Sequence, residues 1–342
     1  MKKINKKSIL NALFLIVIFA LTIWSVFSGV NLGQLVDFLA TANPIYTIPS
    51  IACVLAFIIG ESVIIKYLLE TLGTKIPFSH CCLYSFIGFF YSCITPSASG
   101  GQPMQVVAMR KDKIPVAVST VVLAIITITY KLVLVVIGVL VLSIRPESII
   151  RYLDDVEWLM YLGLGLNVIC IIGLLLLVFD ANAVRNIASW ALKLVHRIYP
   201  LSNVEKWEQR LENLISHYTG TAEFYKNNKR IILNVFGITF VQRCLLFFVT
   251  WLTYLAFDLS GESMIVVVTL QGMISVAADM LPLPGGMGVS ETLFLSIFEH
   301  IFGASLVLPG MLISRGLAYY TQLIISAIMT VVASFIIKNK GE

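Results

Sequence analysis

The sequence predicts an all-α polytopic membrane protein. Three observations carry that prediction: an excess of apolar residues, a series of membrane-length apolar runs, and a one-sided distribution of Lys and Arg. Of the 342 residues, 58% are hydrophobic and only 13% charged, and the mean hydropathy is +0.91. An ordinary soluble domain is roughly 45–50% apolar and about 25% charged. So little polar surface cannot cover an apolar interior of that size in water, whereas surrounding hydrocarbon removes the need.

Six runs are long enough to span: residues 8–28, 44–69, 115–142, 157–179, 231–258 and 306–337. A helix of about 20 apolar residues crosses the hydrocarbon core. The first run follows Lys2, Lys3, Lys6 and Lys7. It exceeds the roughly 7–15 residues of a signal-peptide core, so it reads as a retained helix. Two other stretches, 78–109 and 264–302, are apolar runs broken near the middle by Gly/Pro clusters. They read as re-entrant helical hairpins, whose broken backbone is tolerated only where protein or a wet cavity covers it. In the polar segment 181–230, Val204, Trp207, Leu211, Leu214, Ile215 and Tyr218 recur at helical spacing among Glu205, Arg210, Glu212 and His217. That pattern predicts an amphipathic cytoplasmic or interfacial helix, and about 50 residues are too few for a catalytic domain with its own core. The expected organisation is one integral membrane domain over residues 1–342.

With the N-terminus inside, 19 of the 24 Lys and Arg fall on the cytoplasmic side and only Arg145 and Arg151 outside. This bias predicts that both termini are cytoplasmic. The first hairpin then enters from the cytoplasm and the second from outside. Lys131 lies 30 residues beyond Gly101, and Arg315 lies 29 beyond Gly286. A broken hairpin followed by a charged helix, used twice in opposite orientations, predicts an inverted repeat with its site near the midplane.

Several function classes are excluded. Cys53, Cys81, Cys82, Cys93, Cys170 and Cys244 lack the paired spacing of a zinc site or a disulfide framework, and read as packing residues. His80, His196, His217 and His300 show no metal-ligand spacing, and no P-loop, His-Glu-x-x-His or Gly-x-Ser-x-Gly motif is present. No cofactor or metal is expected. The formal charge of +5 comes from basic residues beside the spans rather than on one face, so nucleic acid is not an expected partner.

Two turns and five buried charges are the candidate site. In Thr95-Pro96-Ser97-Ala98-Ser99-Gly100-Gly101-Gln102-Pro103, the breakers free backbone N–H groups, and the hydroxyls of Thr95, Ser97 and Ser99 add donors. Such a turn suits an anionic head group; the plainer alternative is a tight turn whose hydroxyls satisfy their own backbone. In the second turn, Leu281 to Glu291, Gly285 and Gly286 allow close approach, Ser290 is the expected N-cap of the returning half-helix, and Glu291 either caps that helix or pairs with a cation. Lys131, Arg243, Arg315, Glu61 and Asp279 fall within hydrocarbon, where a charge faces a cavity or a partner. Lys131, Arg243 and Arg315 are candidates to grip a lipid phosphate. The structural alternative pairs Arg315 with Asp279 or Glu291, and lets Lys131 snorkel.

Thr95 to Gln102, the run Pro284 to Glu291, and the Ser314-Arg315 pair resemble the membrane domain of the lysylphosphatidylglycerol synthase/flippase family, over about residues 8–337. The resemblance implies movement of an aminoacylated phosphatidylglycerol to the outer leaflet of the bacterial inner membrane, which protects against cationic antimicrobial peptides. In full-length members a soluble C-terminal domain transfers lysine from lysyl-tRNA to phosphatidylglycerol. The chain ends at Glu342, so the expectation is that lysyltransferase activity needs another polypeptide. Tyr130-Lys131 departs from the Arg-and-Asp pattern of many relatives, having no following acid.

The leading expectation is therefore a flippase or carrier for a phospholipid or polyprenyl-phosphate lipid, using Arg315, Lys131, Arg243, Thr95, Ser97, Ser99, Gly100, Gly101, Gln102, Gly285, Gly286 and Ser290. The competing ones are a subunit of a phosphatidylglycerol lysyltransferase and a scaffold docking a separate lipid aminoacyltransferase through residues 181–230. A homo-oligomer is compatible with each.

Overall fold

The computed structural model describes residues 43–95, 98–180, 204–281, 286 and 288–337, with positions 185, 186 and 189 between. The expected span 8–28, most of 181–203, Ser97 and Gly285 lie outside the described residues. The protein is an all-α polytopic membrane protein, and no strand occurs among the described residues.

Among the described residues, five helical stretches are long and apolar enough to cross a membrane. The first, α1 (Pro44–Thr71), begins where Asn43 Oδ1 accepts a hydrogen bond from Ile45 N at 3.1 Å and Pro44 presets the first turn. The first hairpin is α2 (Phe78–Ile94) and α3 (Gly101–Lys111). Then come α4 (Val116–Ile144), the short α5 (Glu147–Ile150), α6 (Glu157–Phe179), the amphipathic α7 (Val204–Asn227) and α8 (Lys229–Ala256). The second hairpin is α9 (Met264–Ala278) and α10 (Val289–Phe302). The last span starts as α11 (Val307–Arg315), passes through a π turn at Gly316–Tyr320, and continues as α12 (Thr321–Ile336).

Three contacts along α1 and α8 set their relative direction. Tyr225 OH, just before α8 starts, donates to Leu68 O near the end of α1 at 2.8 Å. Midway, Gln242 Nε2 donates to Phe57 O at 2.7 Å, lying across Gly60, where a Cβ would crowd it. At the other end, Asn43 N reaches Ala256 O at 3.5 Å. The two helices are therefore antiparallel.

The hairpins follow suit. The base of the first lies at the end where α1 stops: Lys66 Nζ is 5.8 Å from the Phe78 ring, and Asp112 accepts from Tyr84 OH and lies 2.7 Å from His80 Nδ1. The base of the second lies where α8 stops, with the Tyr254 and Phe302 rings edge to face at 5.6 Å and Glu262 N donating to Tyr254 OH at 3.3 Å. The two hairpins thus enter the bundle from opposite ends.

The packing repeats with the same inversion. The first arm α2 lies against α12, which follows the second hairpin, and the first arm α9 lies against α4, which follows the first. Each hairpin is embraced by the helix that trails the other. Apolar burial does not drive such association in hydrocarbon, so close approach of small residues and internal hydrogen bonds carry it. At Gly163 of α6 an added Cβ would collide with the Val276 carbonyl, and Asn167 Nδ2 donates to that carbonyl at 3.2 Å. The helix α7 packs on α4 and α6, with Ile215, Ala222 and Tyr225 buried.

Candidate functional site

Between the two hairpin turns lies a cavity of about 440 Å³. Ser99 and Gln102 reach it from the first turn, and Asp279, Gly286 and Ser290 from the second. Glu61, Lys131 and Arg315 bring charge to the same space from three helices.

The first hairpin is closed by sterics and by side-chain amide contacts. A Cβ at Gly101 would overlap Ser92 Oγ and the Gly88 carbonyl, so α3 starts directly on α2. The absent side chain at Gly88 leaves room for Gln105, whose Nε2 donates to Glu61 Oε1 at 2.6 Å. Gln102 Nε2 donates to Thr127 Oγ1 on α4. Within the turn, Ala98 adopts φ 55°, and Thr95 Oγ1 donates to Tyr91 O at 2.7 Å while accepting from Gly100 N at 2.8 Å. The Thr95 hydroxyl therefore serves its own backbone, the plainer of the two alternatives for that side chain.

The second hairpin is held by charge. Asp279, the C-cap of α9, forms an ion pair with Lys131 of α4, and its other oxygen lies 4.0 Å from Arg243 Nη2. Glu291 on α10 does both things considered for it. Its Oε2 accepts from Gly288 N at 2.6 Å, and its Oε1 lies 2.7 Å from Arg315 Nη2. The expected cap is corrected, since Ser290 lies inside α10 and its hydroxyl donates to Gly286 O at 2.8 Å. Gly288 is the N-cap, because its φ of 84° suits glycine rather than serine.

Lys131 does not snorkel, and Arg315 pairs with Glu291 rather than Asp279. The acid missing after Lys131 in sequence is supplied by Asp279, 148 positions away. Arg243 is 3% exposed and stands behind the wall. Its Nη1 donates to Tyr130 OH at 2.5 Å, and its guanidinium lies 3.8 Å over the Tyr130 ring. Its Nε and Nη2 have no hydrogen-bond acceptor among the described residues. Arg315 lies 4.9 Å over the Tyr319 ring, immediately before the π turn that re-aims the helix. Thr95, Gly100, Gly101, Arg243 and Glu291 support the walls from behind, while Ser99, Gln102, Lys131, Arg315, Asp279 and Glu61 face the cavity.

Several lining residues carried no signal of their own in the sequence, among them Gln105, Thr127 and Gln271. A usable signal existed for two more. Tyr319 and Gln322 follow Arg315 at i+4 and i+7, which places all three on one helix face, and all three line the cavity. Among the described residues no group of His, Cys, Asp and Glu could hold a metal.

A family model described as the lysylphosphatidylglycerol synthase TM region matches residues 11–326. The chain belongs to that family. The order of hairpin, charged helix, amphipathic segment and second hairpin is thus the plan of this member of the lysylphosphatidylglycerol synthase membrane region, a multi-pass membrane protein with a role tied to membrane lipid. No curated protein matches the chain significantly.

Proposed function

We propose that this membrane domain carries the phosphate-bearing head group of a phospholipid across the bacterial inner membrane, aminoacylated phosphatidylglycerol being the lipid its family points to. The observation that carries the reading is the single cavity walled by the tips of two hairpins that enter from opposite ends, with Lys131 and Arg315 on its surface. A polar path shielded from hydrocarbon is what a head group needs, and opposed broken hairpins meeting near the middle of a bundle suit alternating access. Arg315 suits a phosphate because its planar fork can donate two parallel hydrogen bonds. Lys and Arg concentrated at the end where α1 stops and α8 starts support a cytoplasmic position for that end. Outward movement of such a lipid would lower negative surface charge and so contribute to resistance to cationic antimicrobial peptides.

Proteoliposomes containing the chain should move labelled phosphatidylglycerol or its lysyl ester between leaflets faster than empty vesicles, and Arg315→Gln should abolish the gain while Arg315→Lys keeps part of it. Equal rates with and without protein would refute the reading. The family's name favours one companion reading, that the domain works beside a lipid aminoacyltransferase on the same or another polypeptide. Supplying lysyl-tRNA and phosphatidylglycerol separates the two, because carriage alone makes no lysyl lipid.

A further inference from the structure

Among the described residues, the ion pairs at Asp279 are unequal in number. Lys131 and Arg243 converge on one carboxylate, that of Asp279, so two cations share a single anion. Arg243 has left water almost completely, yet two of its nitrogens lack an acceptor among the described residues. A buried guanidinium with unused donors is costly unless another acceptor arrives. Asp279 also sits at the C-cap of α9, where the carbonyl end of the helix dipole disfavours an anion, so the two cations must hold it there. By contrast, Arg315 has a carboxylate of its own in Glu291, 2.7 Å away.

We propose that Lys131, on the cavity surface, and Arg243, behind it and 4.0 Å from Asp279, form an anion site that Asp279 occupies as an internal counter-ion until the phosphate of a lipid head group takes its place and so comes within reach of Arg243. The inference rests on the cavity being the head-group site. It gives Asp279 a role that an ordinary stabilising pair lacks, because the carboxylate competes with the ligand. Displacement would also untie the end of α9 from α4, freeing the tip of the second hairpin as the head group arrives. The phosphate gains the donors that Arg243 leaves unused, and Asp279 returns to Lys131 when the lipid departs. Competition of this kind lowers affinity for the anion but speeds its release.

The test measures binding of short-chain phosphatidylglycerol to the purified chain in detergent, with short-chain diacylglycerol as the phosphate-free control and inorganic phosphate as the soluble one. Asp279→Asn should bind phosphatidylglycerol tighter by on the order of tenfold, the scale of a charged hydrogen bond, with diacylglycerol unchanged. Transport by the same variant should slow. Equal or weaker binding by Asp279→Asn, with wild-type binding intact, would overturn the inference and leave the transport reading standing. Lys131→Gln provides the second arm should Asp279→Asn fail to fold. It leaves Arg243 and Asp279 as a matched pair, so a merely structural role predicts unchanged affinity, whereas an anion site predicts a loss of about tenfold. Absence of phosphatidylglycerol binding in the wild type and both variants would overturn the transport reading and the inference together. Binding of inorganic phosphate as tight as that of the lipid would overturn the lipid assignment.

Discussion

The two hairpins solve one problem by different means. Each places a broken, polar turn inside a membrane bundle, where backbone groups must find partners within the protein. The first does so through absent side chains and side-chain amides, with Gly88 and Gly101 bringing its arms together and Gln105 and Gln102 reaching Glu61 and Thr127. The second does so through carboxylates at the two ends of its turn, Asp279 and Glu291, tied to cations on α4 and α11. A packed turn has nothing to exchange. An ion-paired turn can trade its counter-ion for a ligand of the same charge, so under the proposed exchange the first hairpin is the support and the second the responding element.

Removing the second hairpin's carboxylate should have the largest effect. Asp279→Ala leaves two buried cations without an anion and should cost about 3–5 kcal/mol, read as a lowered unfolding temperature in detergent. Added phosphatidylglycerol should restore part of that loss in Asp279→Ala, and should stabilise the wild type less. A variant as stable as wild type would erase the ionic half of the comparison.

The first hairpin should break through volume instead. Gly101→Val pushes a side chain into the Gly88 carbonyl, a backbone group that cannot rotate away. It should cost about 2–3 kcal/mol, with no recovery on adding lipid. Recovery with phosphatidylglycerol would show that the first turn also responds to ligand. Gln105→Leu removes the partner of Glu61 Oε1 and should cost about 1–2 kcal/mol by thermal melting. Smallest of all, Thr95→Val loses the hydroxyl that bridges Tyr91 O and Gly100 N and should cost about 1 kcal/mol, with lipid binding preserved. Loss of lipid binding in Thr95→Val would move that residue into the site.

Much of this architecture was legible in the sequence. Runs of apolar residues placed the five described spans within a few positions, because in hydrocarbon every backbone group is satisfied inside a helix and length alone sets the crossing. The breaks at Ser99 and Gly286 were marked by Pro and Gly, and the similar offsets of Lys131 and Arg315 anticipated two related units, which the antiparallel course of α1 and α8 supports. The partners were not legible. Lys131 meets Asp279 across 148 positions, and Glu61 meets Gln105 only because Gly88 lacks a side chain. The π turn after Arg315 has no compositional mark, and the cap of α10 fell on Gly288 instead of Ser290 because backbone sign outweighed side-chain preference. Local chemistry announces where a chain breaks; long-range packing decides which charges meet.

The central claim is that the two hairpins open toward opposite faces of the membrane and share one cavity. Single cysteines in place of Lys75, beside the base of the first hairpin, and Ser260, beside the base of the second, test it most directly in a background without the six native cysteines. Both positions are exposed, so a membrane-impermeant maleimide reports their side in intact and in opened cells. Labelling of Ser260→Cys in intact cells, with Lys75→Cys labelled only after opening, is the predicted result. Labelling of both from the same side would contradict the opposed entry on which the site, the transport reading and the exchange at Asp279 all depend.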